Sequence, residues 1–367
     1  MQKTGVRIGR EIVLCGARTC GLYSAFGRTR WRTQRLLILG YHGISLWDEH
    51  EWRPGLFLTP DQFAFRLESI SRIGCAVLPL DEALSRLATH TLPPLSVVIT
   101  FDDGFFNFFS SAFPILKRFG YPATVYQTTF YAGWNQPIFH LLCHYLLWKA
   151  SGKIIESHGM TGRNGSFDLR TEEGIDAASV EIRNFARQAG LSPEERQRVA
   201  KNLADSVGVD YEEISRRRLF HLMNREELSR MVESGIDIQL HTHRHRVPAS
   251  KDLFLKELAD NRKFLRDIGQ PGATHFAYPS GIYRDEVFPW LVESGIRSAT
   301  SCDTGLATSR SKLLCLPRFV DTSQISNLEF ESWLCGLRDV LPSRTSVRRV
   351  RSLLHRLTAR TNNDSSV

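Results

Sequence analysis

The chain has 367 residues, 42% of them hydrophobic and 23% charged, which is enough apolar surface for one large domain or two ordinary ones and too much for a disordered chain. Its net charge of +8 is concentrated at the ends: residues 1–36 hold eight basic residues against Glu11, a net of +7, and residues 338–367 hold seven against Asp339 and Asp364, a net of +5, leaving the middle at −4. No run reaches the roughly 18–20 consecutive apolar residues of a bilayer-spanning helix, so none is expected.

Two basic ends on a mildly acidic body suggest contact with something anionic, a membrane surface in preference to nucleic acid; the plain alternative is solvated polar tails. The apolar residues 12–17 are hemmed in by Arg10, Glu11 and Arg18, too short for a secretory signal and without a cleavage site. The expectation is therefore a cytoplasmic enzyme, with the inner membrane face as the surface its ends would touch. Seven scattered cysteines without a CxxC pair read as buried free thiols of a reducing compartment, Cys302 and Cys315 being the one pair placed to bridge.

In chain order, residues 36–39 form a continuous apolar run closed by Gly40, as in a strand buried on both faces of a parallel sheet. Thr59-Pro60-Asp61 opens a helix through Phe63, Leu67 and Ile70, and a second follows at 81–87. A strand at 95–101 runs into Asp102-Asp103-Gly104. A helix then continues through Phe109, Phe113 and Leu116 to the Gly120-Tyr121-Pro122 stop, and a strand follows at 123–128. From about 134 to 222 strand signals vanish and helices dominate, which reads as a helical insertion or lid with a loop tip near 162–165. Asn224 with Glu227 makes a capping box. Beyond it come strands at 236–240, 274–278, 296–300 and 313–319, separated by helices at 251–268 and 284–293. Six or seven parallel strands with intervening helices predict a distorted or incomplete (β/α) barrel. The expected division is a basic segment at 1–35, the barrel at 36–336 and a basic tail at 337–367.

Two segments carry chemistry. Asp102 and Asp103 are adjacent carboxylates at the C-terminal end of a buried strand, where barrel active sites form; alone, the pair also reads as a turn that caps the next helix. His241 and His245, in Leu240-His241-Thr242-His243-Arg244-His245, also follow a strand and can aim two imidazoles at one point; alone, they also read as a solvated or anion-binding loop. Together, two histidines and a carboxylate make a three-ligand metal site with open positions, and the spare carboxylate is placed to act as a base.

Thr100-Phe101-Asp102-Asp103-Gly104 and His241-Thr242-x-x-His245 resemble the first two motifs of the polysaccharide deacetylases, carbohydrate esterase family four, which share the nodulation-factor deacetylase homology domain. The resemblance runs from about 36 to 319 outside the insertion. It implies a distorted (β/α) barrel, a metal held by Asp103, His241 and His245, and Asp102 as base. It also implies hydrolysis of the N-acetyl group of an N-acetylated sugar.

Three departures stand out. The arginine that usually precedes Pro-Tyr-Gly is Ala277 here, in Phe276-Ala277-Tyr278-Pro279-Ser280-Gly281, so the orientation of Asp102 falls to another residue. Arg318 is the candidate, with a surface arginine as the alternative. The usual late Leu-x-His is matched only by Leu353-Leu354-His355 in the basic tail, and His42, on the first strand in Leu39-Gly40-Tyr41-His42, is the favoured acid, with a packed histidine as the alternative. The insertion is the third departure. The loop residues Tyr278, Ser280 and Gly281 are the expected contacts for substrate and oxyanion, the Ser280 backbone N–H above all. Zinc is the default ion; cobalt, nickel, manganese or iron would also fit. The substrate would be an N-acetylated carbohydrate, lipid-linked if the basic ends hold a membrane. The alternatives are another amide or an O-acetyl ester on the same site, or a non-catalytic glycan- or anion-binding barrel.

Overall fold

The computed structural model describes residues 2–340 apart from positions 135, 158, 159 and 163. At its centre lie seven parallel strands: β1 (Leu37–Tyr41), β2 (Val97–Phe101), β3 (Thr124–Gln127), β4 (Asp237–Leu240), β5 (His275–Ala277), β6 (Ser298–Thr300) and β7 (Phe319–Val320). Their order is β6-β5-β4-β3-β2-β1-β7. Thr300 also bridges to Leu316, just ahead of β7, so one segment touches both edges and the sheet curls into the expected distorted barrel.

β1 and β2 are buried along their whole length, which explains why their sequences are continuously apolar. Successive side chains take opposite faces. Leu37, Leu39 and Tyr41 join Val97, Ile99 and Phe101 in a core with Phe63, Leu67 and Ile70 of the helix Pro60–Ile73. Ile38 and Val98 join Leu316, Tyr126 and Ala277 in a second cluster closed by Leu80, Ala83 and Leu87 of the helix Leu80–Ala88. By the same alternation, His42 and Asp102 continue the second set. Their neighbours Tyr41 and Phe101 are paired in register, so the two side chains emerge at one level of the barrel mouth. Thr59 and Gln62 form a reciprocal capping box on the helix Pro60–Ile73, and Gly74 ends it in the left-handed conformation.

Between β3 and β4 lie the helices Phe139–Lys149, Glu172–Gln188, Pro193–Val207 and Tyr211–Arg217. The stretch is not purely helical, as the sequence suggested: Ile154–Glu156 and Ser166–Asp168 form an antiparallel ribbon, three residues per strand and too short to register as a period. The strand expected at 313–319 is also revised. Leu313–Cys315 is a 3-10 turn, and the extended part is β7 with the Leu316 bridge.

The N-terminal residues form helices Gln2–Thr19, Leu22–Gly27 and Arg30–Thr33, which sequence patterning did not indicate. They are tied to the helix Asn327–Leu334 through Tyr23, whose hydroxyl donates to the Leu328 carbonyl at 3.0 Å. Fully buried Arg32 donates to the carbonyls of Leu334 and Ser96. Residues 341–367, with Leu353-Leu354-His355, lie outside the described residues. All seven cysteines are free, and Cys15, Cys20 and Cys302 are exposed rather than buried as expected. Among the described residues, no helix is long and apolar enough to cross a membrane.

Candidate active site

Four loops converge at the C-terminal ends of the strands. After β2, the Asp102 N–H still donates to the Tyr41 carbonyl at 2.8 Å, extending the ladder by one residue. The chain then turns sharply, with Asp103 at φ +67° and Gly104 at φ +78°. A side chain at Gly104 would run into Gln127, whose amide occupies that space while donating to the carbonyls of Asp103 and Thr128. Thr242, His245 and Ser280 also have positive φ, so four of the eight such non-glycine residues among the described residues lie in the loops that build this site. Each costs on the order of 1–3 kcal/mol, a strain held in place by the surrounding contacts.

The histidine loop is clamped from the helix Lys251–Asp267. Asn261 accepts from the His241 N–H at 3.0 Å and donates to the Gln127 carbonyl, and Glu257, four residues earlier, takes the Arg244 N–H and the Arg246 side chain. The outcome is that Asp103, His241 and His245 bring one ligand atom each within 4.8 Å of one another. Asp103 Oδ1 lies 3.3 Å from His241 Nε2 and 3.1 Å from His245 Nε2.

The donor set fits a divalent cation. His241 Nδ1 lies 2.8 Å from the Ala277 carbonyl, which can only accept, so Nδ1 carries a hydrogen and Nε2 is the ring atom turned toward Asp103. In the ion-free chain a proton can be shared between Nε2 and the Asp103 oxygen, and a divalent cation would take that proton's place between the two atoms. A carbonyl behind a histidine is the usual arrangement for fixing a metal-binding tautomer. Burial raises the Asp103 pKa, but the charge of His245 and the bonds from both histidines outweigh it and hold the carboxyl well below its ordinary range.

Asp102 is nearly inaccessible, and Arg318 grips it with both arms: Nη1 donates to Oδ1 at 2.8 Å and Nη2 to Oδ2 at 2.7 Å. The third donor, Nε, is held by the Ser301 carbonyl at 2.9 Å. Burial raises the Asp102 pKa, yet Arg318 more than offsets it, and the carboxyl stays ionised. His42 Nε2 stands 3.9 Å from Asp102 Oδ2. Burial lowers the His42 pKa, opposed by Asp102 and Asp103, so the ring is predominantly neutral.

His42, Asp102, Asp103, His241, His245, Ser280 and Gly281 line one cavity of about 430 Å³. The Ser280 N–H has no acceptor among the described residues, whereas the Gly281 N–H is bonded to the Tyr278 carbonyl at 2.8 Å. Gly281 is required on steric grounds, because a Cβ there would lie 2.8 Å from Cys302. Tyr278 is not brought in: it is buried, does not line the cavity, and its hydroxyl donates to the Leu314 carbonyl at 2.7 Å. Sequence reading also missed Asn261 and Glu257, along with Arg53, His140 and Arg244 on the outer wall of the cavity.

Residues 200–299 match the family model described as polysaccharide deacetylase, a span that includes both histidines and the Tyr278–Gly281 loop. The fold is similar to that of the Streptococcus pyogenes deacetylase PplD, solved in complex with acetate, with 19% identity and a TM-score of 0.54 over 84% of this chain and 99% of that one. It is also similar to a de-N-acetylase from Aggregatibacter actinomycetemcomitans, with 13% identity and a TM-score of 0.51 over 82% and 99% of the two chains. IcaB from Ammonifex degensii shows 18% identity and a TM-score of 0.50 over 82% and 97%. No curated protein matches the sequence. The barrel and the likeness to polysaccharide deacetylases read from the two motifs are thereby borne out.

Proposed function

We propose that this chain is a metal-dependent hydrolase that removes the acetyl group from an N-acetylated sugar. The observation that carries the reading is the meeting of Asp103, His241 and His245 beside an Asp102 that is held ionised by Arg318. The matched family and the acetate found in the PplD structure support the same class of reaction.

A divalent ion held by Asp103, His241 and His245 would supply Lewis acidity, polarising the acetamide carbonyl and making water a stronger nucleophile. The chain's own groups do the rest. Asp102, fixed by Arg318, accepts a proton from the attacking water. The Ser280 N–H, unpaired on a strained turn that lines the cavity, donates to the oxyanion as it forms. His42 delivers a proton to the departing sugar amine. Being neutral at the start, it must first receive that proton, and Asp102 at 3.9 Å is the nearest group that gains one. Tyr278 fixes the loop rather than touching substrate.

Zinc is the default ion, with cobalt, nickel, manganese or iron as alternatives for this ligand set. We place the enzyme in the cytoplasm, with N-acetylglucosamine units as the first substrate to try. A lipid-linked glycan at an anionic membrane surface is the partner that the basic N-terminal residues favour. The test is acetate release from N-acetylglucosamine oligomers by protein loaded with each ion in turn, against Asp102→Asn. Release by the wild type alone is expected; equal release by both proteins would remove Asp102 from the mechanism.

A further inference from the structure

The charges that line the cavity do not all balance internally. Asp102 is neutralised by Arg318, and Asp103 faces two histidines. Arg244 is paired with Glu257 at 3.2 Å and Asp260 at 3.7 Å. Arg53 differs. It lines the same cavity, is only partly exposed, and has no hydrogen-bonding or ion-pairing partner for its guanidinium among the described residues.

Its placement is nevertheless fixed. The Arg53 N–H donates to the Glu49 carbonyl at 2.8 Å, and its own carbonyl accepts from Leu56 and Phe57. The guanidinium stacks over the Trp52 ring at 4.8 Å. That ring is anchored in turn: Trp52 Nε1 donates to His144 Nδ1 at 2.8 Å, and His144 Nε2 contacts Asp176 at 2.9 Å. Asp176 is the acidic group that acts on Arg53, and its Oδ1 is already engaged by His144.

A second cation adds to the same field. Arg183, on the helix Glu172–Gln188, has no ion-pair partner among the described residues, and its charge acts on both Arg53 and His140. His140 opens the helix Phe139–Lys149, lines the cavity and is open to solvent at its mouth. The partial enclosure of the cleft, with the charges of Arg183, His245 and Arg53, pushes its pKa downward. It is therefore a hydrogen-bonding group that shares the cavity with the unpaired Arg53 guanidinium. A planar guanidinium left open in a cleft is suited to bidentate recognition of an oxyanion.

We propose that Arg53, with His140 lining the same cavity, forms a subsite for an anionic group, a phosphate or a carboxylate, carried by the substrate next to its N-acetyl group, and that the charge of Arg183 reinforces it. The inference rests on the deacetylase reading and narrows it: the preferred substrate is an acidic N-acetylated sugar or a sugar phosphate, not a neutral oligomer. The insertion supplies His140 and the reinforcing charge of Arg183, so the part of the chain that interrupts the barrel pattern contributes to specificity.

The test compares metal-loaded wild type, Arg53→Gln and Arg183→Gln. Acetate release is measured from N-acetylglucosamine, N-acetylglucosamine 1-phosphate and an N-acetylated amino-uronic acid, and inorganic phosphate binding is measured by calorimetry. Wild type should favour an anionic substrate over the neutral one by about tenfold or more, and Arg53→Gln should bring that ratio close to one. Arg183→Gln should lower it by a smaller factor, and a thermal melt confirms that each variant is folded. Whichever anionic substrate gains identifies the source as phosphate or carboxylate. Equal ratios in wild type and Arg53→Gln would overturn the subsite and leave the deacetylase reading intact. If no substrate releases acetate, phosphate binding weakened about tenfold by Arg53→Gln would uphold the subsite while the deacetylase reading fell; binding unaffected by the substitution would overturn the subsite too.

Discussion

Arg318 reaches Asp102 across the interior face of β1 and passes Gly40 so closely that a Cβ there would lie in van der Waals contact with the guanidinium carbon, at 3.6 Å. The two charged groups sit on segments 216 residues apart and are joined by two parallel hydrogen bonds. In this chain an arginine just ahead of β7 thus holds the carboxylate proposed as base.

Arg318→Met is expected to fold poorly and to need higher pH. Removing one partner of a buried pair costs about 3–5 kcal/mol. In the native protein the lowered Asp102 pKa adds stability that is fully present above a normal carboxyl value of about 4 and is lost as pH falls through the lowered pKa. Without Arg318, burial acts alone and raises that pKa, so the acid limb of the activity profile should move to higher pH. A rate–pH profile with a parallel denaturant titration checks both; an unmoved acid limb would exclude this role for Arg318.

Asn261→Ala is expected to weaken metal binding by about 10–100-fold without touching a ligand. It strands the His241 N–H and frees the histidine loop from β3, with a stability loss of about 1–3 kcal/mol. Metal titration by calorimetry would show it.

Gly104→Ala should fail for two separate reasons. Its φ of +78° disfavours any side chain by about 1–2 kcal/mol, and the new methyl would collide with the Gln127 amide. Gln127→Ala in the same chain should recover part of the loss by removing the collision, leaving only the conformational cost. The thermal midpoints of the two variants distinguish these terms.

His42→Gln is expected to lower kcat by about 10²–10⁴-fold while retaining the metal, because proton delivery is lost and the ligand set is not. Loss of metal in this variant would instead make His42 a ligand.

The parts of this site that could be read from sequence were those written locally. Asp102, Asp103, His241 and His245 each follow an apolar run ending at the barrel mouth, and position at a strand end is what brings them together. Arg318 was identifiable because a departure at Ala277 left the base without a partner, although nothing local marked it out. Asn261 and Glu257 were invisible: on an amphipathic helix they read as ordinary polar residues, and only the path of the 241–246 loop gives them a role. Tyr278 was misplaced for a related reason, since its letter resembles a loop contact while its ring packs against Phe276 and Tyr283. The apolar run at 313–316 suits a strand or a 3-10 turn equally, and the Leu316 bridge decides between them. The N-terminal helices bury Leu14 and Arg32 against a partner helix some 300 residues away, which no local pattern discloses.

The most direct measurement is metal content and acetate release determined together on wild type, Asp102→Asn and His241→Ala. The expected result is about one divalent ion per chain in the first two proteins, little in the third, and acetate from the wild type only. Acetate released by metal-stripped His241→Ala at the wild-type rate, or a wild-type chain that binds no divalent ion, would contradict the assignment of Asp103, His241 and His245 as the catalytic metal centre.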